Sequence, residues 1–555
     1  MKRISLLFLC FLGLTFGVSA QLVKKKLSRT LTNNMDQEYA PYFSAFGKMM
    51  LMSKPNLITG KLEIVFSQKV NGSWESPIEI GYINKSAQLL HKGGYSLTPD
   101  GKKMYFTWKK HGGVGQFDIW EAKFDGTTWV GARNIGMPVN SAQDDYCPTI
   151  SADGKTFMFL RASGVPTNGY KAGKLMTCEL IGKNTWTTPT VAKGFEGKLV
   201  YAPRLLADGV TLVYTMDKGG ELKFFKSIKQ GTKWSEPISL SFLDNQGLEP
   251  FVSGSIHTSM LYTSLKGEHS NDIYKVKFPT ELKPNPITFI EGNVHDVVTN
   301  KSIKSFVQVY DVSNWERLFV QRTDENGDFN LILPTGKVYD IYIQESTLKH
   351  TFFSRSFDLQ KVEKFNRQTL HAKVKKLNPG IGFVMEGVTF KESSSKLQPY
   401  SLKELDRLQS LLKSNSSLNL EIAVFNQNYK KDSVKSSPDL TELIVDTIIT
   451  QKEVIDSVLV EQLPDTIMVD SVMVVKTPEP KYTYSKRMVD VMKIKKTYHN
   501  DRTKKQAEEI YEYLLKKGIS KYRMSYKGYG NKVQKLHLNH KDAKHLESGV
   551  MVIFQ

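Results

Sequence analysis

Between residues 38 and 265 apolar and polar side chains alternate in short runs that stop at Gly, Asn or Asp, and one phrase returns five times. The copies read EYAPYFSAFGKMMLM from Glu38, GGYSLTPDGKKMYFTW from Gly93, DDYCPTISADGKTFMFL from Asp144, VYAPRLLADGVTLVYT from Val200 and EPFVSGSIHTSMLYTS from Glu249. Their turn glycines Gly47, Gly101, Gly154 and Gly209 lie 54, 53 and 55 residues apart. Four copies run on through a second turn into a tryptophan, at Trp74, Trp129, Trp186 and Trp234, and the fifth replaces it with PTELKPNPITFI. Period-two alternation broken by such turns predicts antiparallel hairpins, so each copy is a four-stranded meander. A meander cannot bury both faces alone, and repeats of roughly 50 residues bury them by stacking radially. The expectation is a five-bladed all-β propeller over residues 21–286, with the tryptophans packed between blades. Whether LVKKKLSR at 22–29 lends a strand to the last blade stays open.

Beyond the repeats the pattern changes twice. Residues 287–372 alternate over shorter runs and predict a β-sandwich. After KVKKLNPGIG, the leucines Leu402, Leu405, Leu408, Leu411 and Leu412 fall at helical spacing behind Ser401 and Glu404, which read as a capping box. The strand LNLEIAV follows, then a helix from about Asn500 to Lys517 with Ala507, Ile510 and Leu514 on one face and Gly518 as its stop, then RMSYKGYG and GVMVIF. This is an α+β domain in two halves, 373–430 and 496–555. Residues 431–495 separate them as an acidic low-complexity insertion, in which DTII at Asp446, DSVL at Asp456, DTIM at Asp465 and DSVM at Asp470 repeat loosely. It is too polar for a core yet rich in β-branched residues. Two readings stand: an extended arm that adds to a partner's sheet edge, or a disordered insertion. The fold class expected is therefore multidomain: all-β propeller, β-sandwich, α+β domain.

Composition narrows the function classes. The 555 residues exceed one core, and 40% apolar with 24% charged residues is ordinary folded protein. Three cysteines exclude a disulfide scaffold or a Cys-rich metal protein. Lys2 and Arg3, the apolar run Leu6–Val18 and the small Val18-Ser19-Ala20 predict a signal peptide over 1–20. Export makes Cys147 and Cys178 candidates for pairing, but on the strand assignment they fall on non-neighbouring strands of one blade, which favours two buried free thiols. No later run is long and apolar enough for a helical membrane span. The net charge of +20 fits an acidic polymer, membrane surface or nucleic acid, and export argues against the last.

Candidate chemistry is sparse. No Gly-x-Ser-x-Gly elbow, HExxH or phosphate-binding Gly loop occurs, so no catalytic residue, metal or cofactor is expected. His537, His540 and His545 have metal-like spacing without a fourth ligand, and Asp324–Asp328 reads as a hairpin turn rather than a cation loop.

Three resemblances add to this. The PDGK, ADGK and ADG turns with their following aromatic strands resemble the WD40-like (PD40) repeats of TolB-type periplasmic propellers. Gly292-x-Val294, Asp296 with Thr299 and the TDENGDF turn resemble the carboxypeptidase regulatory-like domain, a spacer or adhesive module. GVTF, ELDRLQSLL, LEI, QAEEIYEYLLKKGI and GYG resemble the framework of the OmpA C-terminal domain, which implies binding to peptidoglycan. That family's Gly-His-Thr-Asp falls on Val424, Phe425, Asn426 and Gln427, and its Leu-Ser-x-x-Arg-Ala on Arg502 to Ala507. The implied peptidoglycan-binding positions are Asn426, Gln427, Thr503 and Gln506. The Asp that meets an ammonium and the Arg that meets a carboxylate of the diaminopimelate stem are both amides here, at about 1.5–3 kcal/mol lost per contact. Either the amides read the stem, or Lys504 and Lys505 substitute, or the ligand is lost. The domain order resembles envelope proteins of Bacteroidota such as the PorE-type component of the type IX secretion and gliding machinery, although that family carries a tetratricopeptide array where this chain has residues 21–37. The resemblance implies a non-enzymatic periplasmic scaffold at the outer membrane, with envelope proteins and peptidoglycan as partners. The rivals are a glycan- or peptide-binding propeller, with or without hydrolysis, and an envelope sensor.

Overall fold

The computed structural model describes residues 23–28, 30–31, 37–85, 88–165, 171–182, 184–266, 270–392, 394–427, 431–432, 442–462, 464–470, 472–499, 502–532 and 547–555. The expected signal segment and His537, His540 and His545 lie outside them. The chain divides into two compact units, the first running to His295 with Thr299–Ile343 and Ser356–Lys373, the second comprising Asp296–Val298, Gln344–Arg355 and Val374–Gln555.

In the first unit the five repeats form five antiparallel blades, the third and fourth joined in one ten-stranded sheet where Gly173 and Lys174 pair with Val200 and Leu199. Their innermost strands are Tyr39–Phe43, Tyr95–Leu97, Asp144–Ile150, Leu199–Leu205 and Leu248–Ser253. These touch their neighbours in a closed ring, fifth against first, which makes the unit a five-bladed propeller. Gly47, Gly101, Gly154 and Gly209 turn the first four inner strands back at φ of +66°, +72°, +72° and +69°, which explains why glycine recurs there. Among the described residues the fifth blade has no fourth strand of its own. Lys24–Lys26 supplies it, pairing antiparallel with Asn271–Lys277 (Lys24 opposite Val276, Lys26 opposite Tyr274), so the two ends of the propeller sequence are joined in one sheet.

The tryptophans pack between blades as expected. Trp129, 1% exposed, meets Phe66 of the first blade at 6.2 Å, and Trp186 meets Tyr105 of the second at 6.5 Å. Cys147 and Cys178 are free and buried, on strands separated by Thr156–Ala162, and burial pushes both thiols up to about 12. Near the axis Arg204 is 1% exposed. Its guanidinium donates to the carbonyls of Pro203 (3.0 Å) and Gly93 (2.9 Å), and stands 5.0 Å from the Tyr42 ring centroid. One cation thus links groups from three blades.

The sandwich pairs a three-stranded sheet (Asp328–Pro334, Ile287–Asp296, Asn366–Val374) with a four-stranded one (Glu316–Arg322, Ser305–Asp311, Val338–Glu345, Phe353–Asp358). Along Ser305–Asp311 burial alternates residue by residue, the period-two signature of a strand with one face in a core. Asp324 accepts backbone N–H bonds from Asn326 and Asp328 at 2.9 Å each, so this carboxylate holds a turn. Ile287, Phe289 and Ile332 pack on Phe46, Ala207 and Ile256, residues that follow three of the propeller's inner strands.

The second unit is α+β. Its sheet runs Gly382–Val384, Ser548–Phe554, Leu420–Asn426, Met524–Gly530, with the last pair parallel and the others antiparallel, and carries helices Ser401–Ser414 and Thr503–Lys516. Leu405, Leu408, Leu411, Leu412, Ala507, Ile510 and Leu514 are buried, as their spacing requires. The capping box is absent. Tyr400 is the N-cap, Ser401 accepts from the Thr389 N–H and donates to the Thr389 carbonyl, and Glu404 pairs with Arg407 at 2.9 Å. Packing against the preceding loop took the hydroxyl that the local motif would have used.

Where the sequence left an arm and a disordered insertion open, the described residues form a hairpin. Glu442–Val460 and Lys481–His499 pair antiparallel without a break, from Glu442 opposite His499 to Val460 opposite Lys481, so the ladder extends four residues past the expected end of the insertion at 495. By this register Val445, Ile449, Ile455, Leu459, Tyr482, Tyr484, Met488, Met492 and Ile494 share one face, and all are exposed. Of the ladder's exposed large apolar residues only Ile448, Val458 and Val460 lie on the other face.

Candidate functional site

The α+β unit holds a cleft of about 560 Å³ where the strand Leu420–Asn426 ends beside the start of the helix Thr503–Lys516. Asn426 reaches it as the last residue of its strand, and Gln506 as a first-turn helical residue whose Nε2 donates to the Ser394 carbonyl at 3.2 Å. Phe390, Ser548 and Gly549 complete its walls from the loop before the first helix and from the last strand. Sequence reasoning thus named two positions that the tertiary structure brings together.

It named two others that do not face this space. Gln427 is not part of the cleft lining, is exposed, and donates its backbone N–H to the Glu547 carbonyl at 2.6 Å. Thr503 is 1% exposed, and its hydroxyl accepts the Gly530 N–H at 3.0 Å, which pins the helix start to the neighbouring strand. That approach is close: a Cβ on Gly528 would stand 2.3 Å from the Lys504 nitrogen, so glycine there is a packing requirement.

The proposed lysine substitutes are also displaced. Lys504 and Lys505 are exposed and outside the cleft lining, and Lys505 pairs with Glu508 at 2.9 Å, which raises its pKa and lowers that of the glutamate through their hydrogen bond. The cations that do line the cleft are Lys391 and Arg502, the latter the N-cap residue and not among the positions expected from the sequence. A signal was present: Arg502 precedes Gln506 by four residues, one helical turn, so both open onto the same side. Among the described lining residues Glu386 is the one carboxylate, and it stands 3.9 Å from Arg355. The cleft can therefore receive a carboxylate-bearing ligand, with amide groups at Asn426 and Gln506 to orient it.

Among the described residues no group of three His, Cys, Asp or Glu could hold a metal ion, and no helix is long and apolar enough to cross a membrane. Fold and cleft together define a multidomain β-rich protein: a five-bladed propeller, a β-sandwich and an α+β domain. No protein-family profile and no curated protein matches the chain. Solved structures similar to it include TolB from Acinetobacter baumannii (14% identity, TM-score 0.28, covering 44% of this chain and 55% of that one). Others are a putative TolB from Agrobacterium tumefaciens (14%, 0.27, 54% and 90%) and an oligogalacturonate lyase from Vibrio parahaemolyticus (9%, 0.26, 61% and 86%). The chain thus spans little more than half the length of the first. Likeness at this level is silent on ligand and chemistry.

Proposed function

We propose that the protein is a non-enzymatic periplasmic scaffold at the outer membrane, an accessory of type IX secretion or gliding. The observation that supports this most is the hairpin arm, which presents nine exposed large apolar side chains on one face. Contiguous exposed apolar surface of this kind marks an interaction site. In this reading the arm and the propeller hold envelope proteins, and the α+β domain tethers the assembly to peptidoglycan through its cleft, with Arg502 receiving a stem carboxylate.

The test is twofold and uses the full mature chain. Photo-crosslinkers placed in cells at Met488 or Met492 should capture a discrete envelope protein, whereas one at Ile448, on the opposite face, should not. Co-sedimentation with purified sacculi at physiological salt should occur and should weaken in Arg502→Gln. Equal capture from both faces would remove the arm from the reading. Sedimentation indifferent to Arg502, or seen only at low salt, would remove the tether.

A further inference from the structure

The seam where the fifth blade meets the first carries a second cleft, of about 610 Å³, which lies within the size range of small-ligand sites. Its floor is aromatic. Phe43 meets Trp74 at 5.5 Å edge-on and Tyr262 at 4.3 Å, and Trp74 keeps part of its ring exposed to the cleft. Around this floor stand Lys48, Lys69, Lys275 and Arg367, against Glu291, the one carboxylate among the described lining residues. Glu291 is engaged by Arg367 at 3.2 Å, while the three lysines have no carboxylate partner among the described residues. Lys69 stands 5.9 Å from the Trp74 ring centroid. His257, on the same wall, has its pKa lowered by burial and further by Lys275, Lys69 and Arg367, so the cations act on one point. Asn71 and Ser255 add neutral polar groups.

Positive charge that no described carboxylate pairs, beside a partly buried indole, selects a ligand that is negatively charged and has an apolar face. The edge-on and tilted rings leave a platform rather than a slot for a planar ring, and a platform suits the C–H face of a pyranose. We propose that this cleft binds an acidic carbohydrate, its ring lying on Trp74 and its anionic groups, carboxylate or sulfate, on Lys69 and Lys275. The assignment does not rest on the scaffold reading, and either can fail alone.

Titration of the full chain, followed by tryptophan fluorescence and calorimetry, separates the terms. Trimannuronate and sucrose octasulfate supply the two kinds of anion, and mannotriose has the mannuronate backbone without its carboxylates. At least one acidic sugar should bind, with affinity falling as salt rises, and mannotriose should bind roughly tenfold more weakly or worse. The double variant Lys69→Gln/Lys275→Gln alters two side chains outside the core and should retain the denaturation midpoint while losing about tenfold or more in affinity. Trp74→Leu should weaken the sugar but not inorganic phosphate. The proposal is overturned if neither acidic sugar binds at millimolar concentration, if mannotriose binds equally well, or if the lysine variant binds as tightly as the parent.

Discussion

The propeller and the hairpin arm are both built from antiparallel strands with alternating side chains, yet they end in opposite states. In each blade the apolar residues of one sheet meet those of the next, so Trp129, Phe66 and Tyr146 are almost wholly buried. In the arm the backbone ladder runs unbroken over nineteen pairs, but nothing described covers Ile449, Met492 or Tyr484. Strand pairing and burial are therefore separable. The first follows from local alternation and β-branched content, and the second needs a neighbour of matching pattern. The blades find theirs about 50 residues away in the same chain, whereas no described residue covers the arm's face.

Substitutions can break this comparison, and the largest effect belongs to the propeller. Trp129→Ala should cost about 3–5 kcal/mol in chemical denaturation, because a wide side chain between two blades leaves a cavity that neither can fill. A cost near that of a surface change would mean that the blades do not depend on each other. Arg204→Met comes next, at about 2–3 kcal/mol, since the carbonyls of Gly93 and Pro203 lose their buried donor and a methionine cannot replace it. An unchanged midpoint would show that the axis is held without this cation.

A smaller effect depends on pH. Burial lowers the His91 pKa from 6.5 to about 4, so the folded protein carries this ring neutral while the unfolded chain takes up a proton below 6.5. The stability that the neutral ring contributes is present above pH 6.5 and is lost as pH falls toward 4. His91→Gln should flatten the denaturation midpoint across that window, and an unaltered pH profile would refute the assignment. The smallest effect is expected in the arm: Met492→Lys should change stability by no more than about 0.5 kcal/mol, while abolishing capture at Met488. A large loss of stability there would mean that the arm's apolar face is packed within the protein after all.

How far the sequence could be read differs along the chain for reasons these regions make plain. Gly47, Gly101, Gly154 and Gly209 announce turns because only a positive φ fits there, and the helix stripes around Leu408 and Ile510 announce buried faces because periodicity is a local property. Ser401 misled, since its hydroxyl had a nonlocal competitor in Thr389. Asn426 and Gln506 were legible as cleft residues through a family framework. Arg502 was not, because the framework marks its position as apolar.

By itself the sequence determined the number of blades, the sandwich, the α+β order and the sites of the turns. Each of these depends on periodicity or on the conformational needs of single residues. The tertiary structure alone decided that Lys24–Lys26 closes the fifth blade, that Ile287 and Phe289 of the sandwich pack on the propeller, that the two halves of the insertion pair with each other, and that Trp74, Lys69 and Lys275 converge at one seam. Those outcomes depend on which distant segments share a sheet edge or a face, and alternation along a strand carries no information about the identity of its neighbour.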